Sequence, residues 1–166
     1  DRTTGTGAFL GSRMCRDLAD GCGAHSASTF NTCYKDTGLF GVYYVAPPTS
    51  AFASSQTVMY ELARLSTEIT PTELARGKQQ LKTALLMNLD GTTAVCEDIG
   101  RQLLAYGRRM TPAEVFARVE AVDLEAVAKA ASAVIHDKDP AIASIGNIYE
   151  VPDYTWHRRR SYLFRY

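Results

Sequence analysis

Ser26-Ala27-Ser28-Thr29-Phe30-Asn31-Thr32-Cys33-Tyr34-Lys35-Asp36-Thr37-Gly38-Leu39-Phe40-Gly41-Val42-Tyr43-Tyr44-Val45-Ala46 holds two β-type runs around one turn. In Ser26–Tyr34, Phe30, Thr32 and Tyr34 fall on one face of a period-2 pattern, as in a strand. Lys35-Asp36-Thr37-Gly38 is turn chemistry, because Asp bonds its own backbone and Gly accepts positive φ. Leu39–Ala46 is a near-continuous apolar run rich in aromatic and β-branched residues, which predicts a strand covered on both faces. Together they predict a β-hairpin with a four-residue turn. Pro47-Pro48 ends it, since Pro cannot donate to a ladder.

Downstream the period changes to that of helices. Phe52, Ser55, Met59 and Leu62 make one apolar stripe. Thr70-Pro71-Thr72-Glu73 has capping-box spacing with Pro at the first helical position, and Leu74, Leu81, Leu85 and Leu89 follow. Asp90-Gly91 breaks that helix, and Val95, Ile99, Leu103 and Tyr106 mark the next. Thr111-Pro112-Ala113-Glu114 repeats the signature before Val115, Phe116, Val119 and Val122. Asp123 is placed to cap a last helix with Leu124, Val127, Ala131 and Val134 inward. Ala141–Ile145, after Pro140, is apolar enough for one more buried strand. Upstream, residues 1–11 read as a Gly- and Thr-rich loop, and Ser12 is placed to cap a short helix over Arg13–Ala19 that Asp20-Gly21 ends. Strands and helices are segregated, so the fold class is α+β: a β-hairpin, about five helices and a further strand. Three strands make a thin sheet with exposed edges, which predicts that missing or partner segments complete it.

A length of 166 residues predicts about one domain, and 46 % apolar with 22 % charged residues is an ordinary globular composition. Eighteen basic and eighteen acidic side chains cancel, so no global field draws the chain to nucleic acid or an anionic membrane. No apolar run reaches the roughly 18 residues of a membrane span. The first ten residues form neither a signal nor a transit peptide and do not begin with Met, so the chain reads as a processed product or a piece of something longer. Cys15, Cys22, Cys33 and Cys96 include no C-x-x-C pair, and a chain of this size can build a core without disulfides. Reduced, mostly buried thiols are expected.

The stretch 88–109 gathers the adjacent carboxylates Glu97 and Asp98, a thiol and three arginines, and so has the look of a catalytic segment. Glu97 and Asp98 are adjacent on a helix, however, and point about 100° apart, which does not serve one substrate atom. Glu97 and Arg101 instead have the i,i+4 spacing of an ion pair. Asp90-Gly91-Thr92-Thr93 lacks the Gly-Lys-Ser/Thr end of a phosphate loop and follows no strand. Gly91 is expected to end one helix, with Thr92 or Thr93 capping the next. Arg158-Arg159-Arg160 with Tyr162, Phe164 and Arg165 reads as a docking tail over nucleic-acid binding, since Arg and aromatics favour interfaces. No Gly-x-Ser-x-Gly or local Cys–His pair is present, so no catalytic, cofactor-binding or metal residue is assigned.

His25-Ser26, then Ser28-Thr29-Phe30-Asn31-Thr32-Cys33-Tyr34-Lys35-Asp36-Thr37-Gly38-Leu39-Phe40-Gly41, resembles a hairpin of the M16 metallopeptidase family almost residue for residue. Asp90-Gly91-Thr92-Thr93 with Cys96-Glu97-Asp98-Ile99-Gly100-Arg101-Gln102 is similar to a second block of that family. Asp1-Arg2, Gly5, Gly7 and Ser12-Arg13 match a loop upstream; Ala121-Val122-Asp123 and Pro152-Asp153-Tyr154 match closing segments. The likeness runs the whole length. It points to the branch of mitochondrial processing peptidase β subunits and complex III core-1 subunits, and to their C-terminal domain.

That resemblance implies a partial C-terminal M16 domain over residues 1–146 and an Arg/aromatic docking tail over 147–166. It implies zinc only in an N-terminal domain carrying H-x-x-E-H; His25, His136 and His157 are not spaced for that motif, so no cofactor is expected in this chain. The positions of the Arg and Tyr that M16 C-terminal domains use toward substrate fall on Leu18 and His25, neither of which is retained; His25 is expected as a partly buried strand histidine. Implied partners are an α/core-2 M16 subunit, the N-terminal part of the same subunit, other complex III subunits and presequence peptides. The implied place is the matrix side of the mitochondrial inner membrane, peripheral to it. Three functions follow: a non-catalytic scaffold piece of a β/core-1 subunit, one piece of a split but active zinc peptidase, or a free-standing M16-derived adaptor.

Overall fold

The computed structural model describes residues 12–162. The expected loop over 1–11 and the Phe164 and Arg165 end of the tail lie outside the described residues. Strands β1 (Ser26–Cys33) and β2 (Gly38–Val45) pair antiparallel from Ser26↔Val45 to Cys33↔Gly38. The turn is Tyr34–Thr37, closed by Tyr34 N donating to Thr37 O at 2.9 Å, one residue earlier than the sequence spacing places it. The helices are α1 (Arg13–Arg16), α2 (Ala51–Arg64), α3 (Pro71–Met87), α4 (Thr92–Tyr106), α5 (Pro112–Glu120), α6 (Leu124–Ile135) and α7 (Tyr154–Arg160). α1 runs on into a π-type turn over Asp17–Gly21, and Ser12 makes no side-chain cap. The α+β class and the five helices between 51 and 135 stand as expected.

One face of the hairpin meets helices. Ala27, opposite Tyr44, is 1 % exposed and joins Met14, Cys15, Leu18, Ala24 and Val58 in the core, with Val42, Tyr44, Ala46 and Leu62 packed against them. Ser55 Oγ donates to Ala51 O at 2.9 Å, so the Tyr44 hydroxyl, 2.8 Å away, is the donor between the two. Thr70 Oγ1 accepts from Glu73 N at 3.2 Å while Glu73 Oε2 accepts from Thr70 N at 3.0 Å, the capping box predicted from sequence. Asp123 Oδ1 accepts from Ala126 N at 2.8 Å, capping α6.

The opposite face of the hairpin carries Phe30, Leu39, Tyr43 and Val45, all exposed. β2 is therefore covered on one face and not on two. The strand expected over Ala141–Ile145 is not formed: these residues are irregular, exposed and without a neighbouring strand. A strand exists only through its ladder, and among the described residues no partner edge reaches this segment. No residue of α3, α4 or α6 is fully buried. The chain exposes 11404 Å², against about 8,100 Å² for a compact monomer of 18.2 kDa.

Candidate functional site

Within 88–109 the structure turns the suspicious residues into a helix junction. α3 ends at Met87 with Asn88 as its cap residue, and Gly91, at φ −134°, precedes the first turn of α4 without a side-chain cap from Thr92 or Thr93. Gly107 closes α4 in the left-handed conformation (φ 72°), its N donating to Leu103 O at 3.0 Å. Glu97 pairs with Arg101 as predicted. Asp98 Oδ2 accepts from Gln102 Nε2 at 2.9 Å, and Gln102 Oε1 accepts from Met110 N at 2.6 Å. The two carboxylates thus serve different partners. Arg108 and Arg118 both bind Glu114, and the Arg108 hydrogen bonds hold that carboxyl down to about 2. A cleft of about 350 Å³ lies beside this junction, with Leu85, Leu89 and Phe116 as apolar lining and Asp98, Arg101 and Arg109 at its polar side. It offers space for an apolar side chain and no nucleophile–base arrangement.

The other expected positions separate from one another. Leu18 is 0 % exposed, a core anchor with no access to substrate. His25 is exposed at the hairpin base, not partly buried, and its backbone N donates to Val45 O at 2.8 Å. Cys15 and Cys22 are buried, but Cys33 and Cys96 are exposed, so half of the free thiols depart from the expected burial. His157 is buried, its Nδ1 2.9 Å from Asp153 O. Among the described residues no three His, Cys, Asp or Glu side chains converge as metal ligands. The donor set of the described residues does not fit zinc.

Within the tail, Tyr154–Arg160 forms helix α7. Asp153 Oδ1 caps it by accepting from Trp156 N at 2.8 Å. Trp156 meets Phe52 of α2 edge-on at 5.3 Å between ring centroids. Arg160 lies 4.0 Å over the Trp156 ring, and Arg158 pairs with Asp137 and Asp139. Two of the three arginines are therefore spent inside the chain.

A charge cluster that the sequence reading did not single out joins α1, α2 and α3. Glu61 and Arg64 are 6 % and 8 % exposed. Arg13 Nε lies 3.3 Å from Glu61 Oε1, and Arg64 Nη2 bonds both Glu73 oxygens at 3.2 and 3.1 Å. The Thr70 backbone hydrogen bond, then the Arg64 bond, hold Glu73 at about 2, whereas burial raises Glu61. The available signal was positional: Glu61 continues the buried spacing Ser54–Val58 of α2. The arrangement binds elements together and has no open position for a substrate.

The described residues thus form a two-stranded antiparallel unit backed by helices. Residues 6–81 match the family described as the Peptidase M16 inactive domain. The chain is 46 % identical over 166 residues to the probable mitochondrial-processing peptidase subunit beta of Arabidopsis thaliana, covering all of this chain and 31 % of that one. It is 43 % identical over 164 residues to the cytochrome b-c1 complex subunit 1 of Bos taurus, covering 99 % of this chain and 34 % of the other. Both relatives are named as mitochondrial. A chain of complex III2 from Candida albicans with Inz-5 bound superposes with a TM-score of 0.88 at 27 % identity, over 96 % of this chain and 39 % of that chain. The chain spans about a third of the length of these sequence relatives. No helix among the described residues is long and apolar enough to cross a membrane.

Proposed function

We propose that this chain is the non-catalytic C-terminal part of a β/core-1-type subunit, acting as scaffold in complex III, in a presequence-processing chamber, or in both. The observation that carries it is the uncovered apolar face Phe30–Leu39–Tyr43–Val45, with no cluster of metal-ligating side chains among the described residues. A two-stranded hairpin is at best marginally stable by itself, so such a face belongs in a larger sheet. Its partners are the N-terminal part of the same subunit, an α/core-2 M16 subunit and further complex III subunits, at the matrix side of the inner membrane. Any zinc and any hydrolysis of presequence peptides reside in the N-terminal M16 domain, not in these residues.

Cys33, exposed at the tip of the hairpin arm, reports on coverage of the arm as a whole. Its maleimide labelling is expected to be fast in the purified chain and at least about tenfold slower in the mitochondrial assembly, where the arm is covered. Equal labelling rates in the two would count against the scaffold role.

A further inference from the structure

The loop between α6 and Ala141–Ile145 is tied to α7 by one side chain. The Arg158 guanidinium bonds Asp137 Oδ1 at 2.9 Å and pairs with Asp139; it also donates to Ser161 Oγ at 2.7 Å and to Tyr162 OH at 2.6 Å. Its carbon lies 4.2 Å over the Tyr162 ring. Asp137 has φ 56°, a left-handed conformation that a non-glycine residue keeps only when its surroundings hold it. The Asp137 N donates to Ser161 O at 3.1 Å, so its backbone and its carboxylate are both fixed on the end of α7. α7 is itself anchored elsewhere, through Trp156 on Phe52 and buried His157.

From this post the chain passes through Pro140, whose ring fixes φ, into 141–145. There Ile142 is 41 % exposed and Ile145 fully so, and residues 140–147 make no backbone–backbone hydrogen bond among the described residues. A segment with strand composition and unpaired backbone is suited to add to a sheet edge, and pre-orienting it removes part of the ordering cost. We infer that Arg158 is a positioning residue: by holding Asp137 and Asp139 against α7, it sets the direction in which 141–145 leaves α6 and readies that segment to pair. This rests on the reading above that M16 chain outside these residues completes the sheet.

The test is amide exchange on the full polypeptide, free and assembled, with Arg158→Gln and, as a milder variant, Asp139→Asn. Arg158→Gln is expected to lower protection of residues 136–139 by roughly tenfold while leaving α2 and α3 unchanged. It should also slow the gain of protection by 141–145 during assembly. Adding Asp137→Asn to Arg158→Gln should do little more, because the partner is already lost. Wild-type protection of 136–139 in Arg158→Gln would overturn the anchor. Lost protection there with an unchanged rate for 141–145 would overturn the positioning role alone. An assembled wild type in which 141–145 stays unprotected would overturn the sheet-completion reading, and this inference with it.

Discussion

Glu73 shows how much one side chain does in this chain. It closes the cap of α3, neutralises the buried Arg64 and links α2 to α3. Its carboxyl is held at about 2 in the folded chain, below the ordinary 4.5. A depressed carboxylate stabilises above the unfolded value and ceases to do so as pH falls through the folded one. Thermal stability should therefore drop between about pH 4.5 and 2, and Glu73→Gln should flatten that limb of a Tm–pH curve. An unchanged acid limb in the variant would remove Glu73 from this role. Glu61 works in the opposite direction: burial raises it, so its contribution is lost as pH rises. At this scale the cap was legible, because Thr70 and Glu73 are three residues apart. Burial of Glu61 and Arg64 was not, since it depends on α1 and α3 closing over α2.

Among the elements, the hairpin makes a contact across its strands. The Phe30 ring lies over Gly41, its register partner, and a Cβ at 41 would sit 2.6 Å from Phe30 Cζ. Gly41→Ala must swing that exposed ring away, a small cost for a side-chain end, and is expected to change stability by less than about 1 kcal/mol in denaturant unfolding. A loss above about 3 kcal/mol would mean the ring is locked over that position. Helices α2 to α6 were readable because period, caps and prolines are local signals. α7 was missed because what fixes it, Trp156 on Phe52, spans the chain. The strand at 141–145 was misplaced for a related reason: its apolar composition is real, but a ladder needs an edge that these residues do not supply. The covering expected on both faces of β2 fails in the same way. Sequence records the environment a segment is built for, and among the described residues only one face of β2 meets that environment.

At the scale of the whole molecule, the surplus of exposed surface is the leading feature. The 11404 Å² exposed exceeds that of a compact monomer, and the half-covered helices α3, α4 and α6 contribute to it. The M16 resemblance was legible in 25–41 and 90–102, although Glu97, Asp98 and Arg101 of the latter are consumed in a helix junction. On the proposed reading, this chain holds structure and does not cut. Incubating the purified chain with a presequence peptide, with and without added zinc, tests it most directly. No cleavage under either condition is predicted; zinc-dependent turnover by the pure chain would contradict the account.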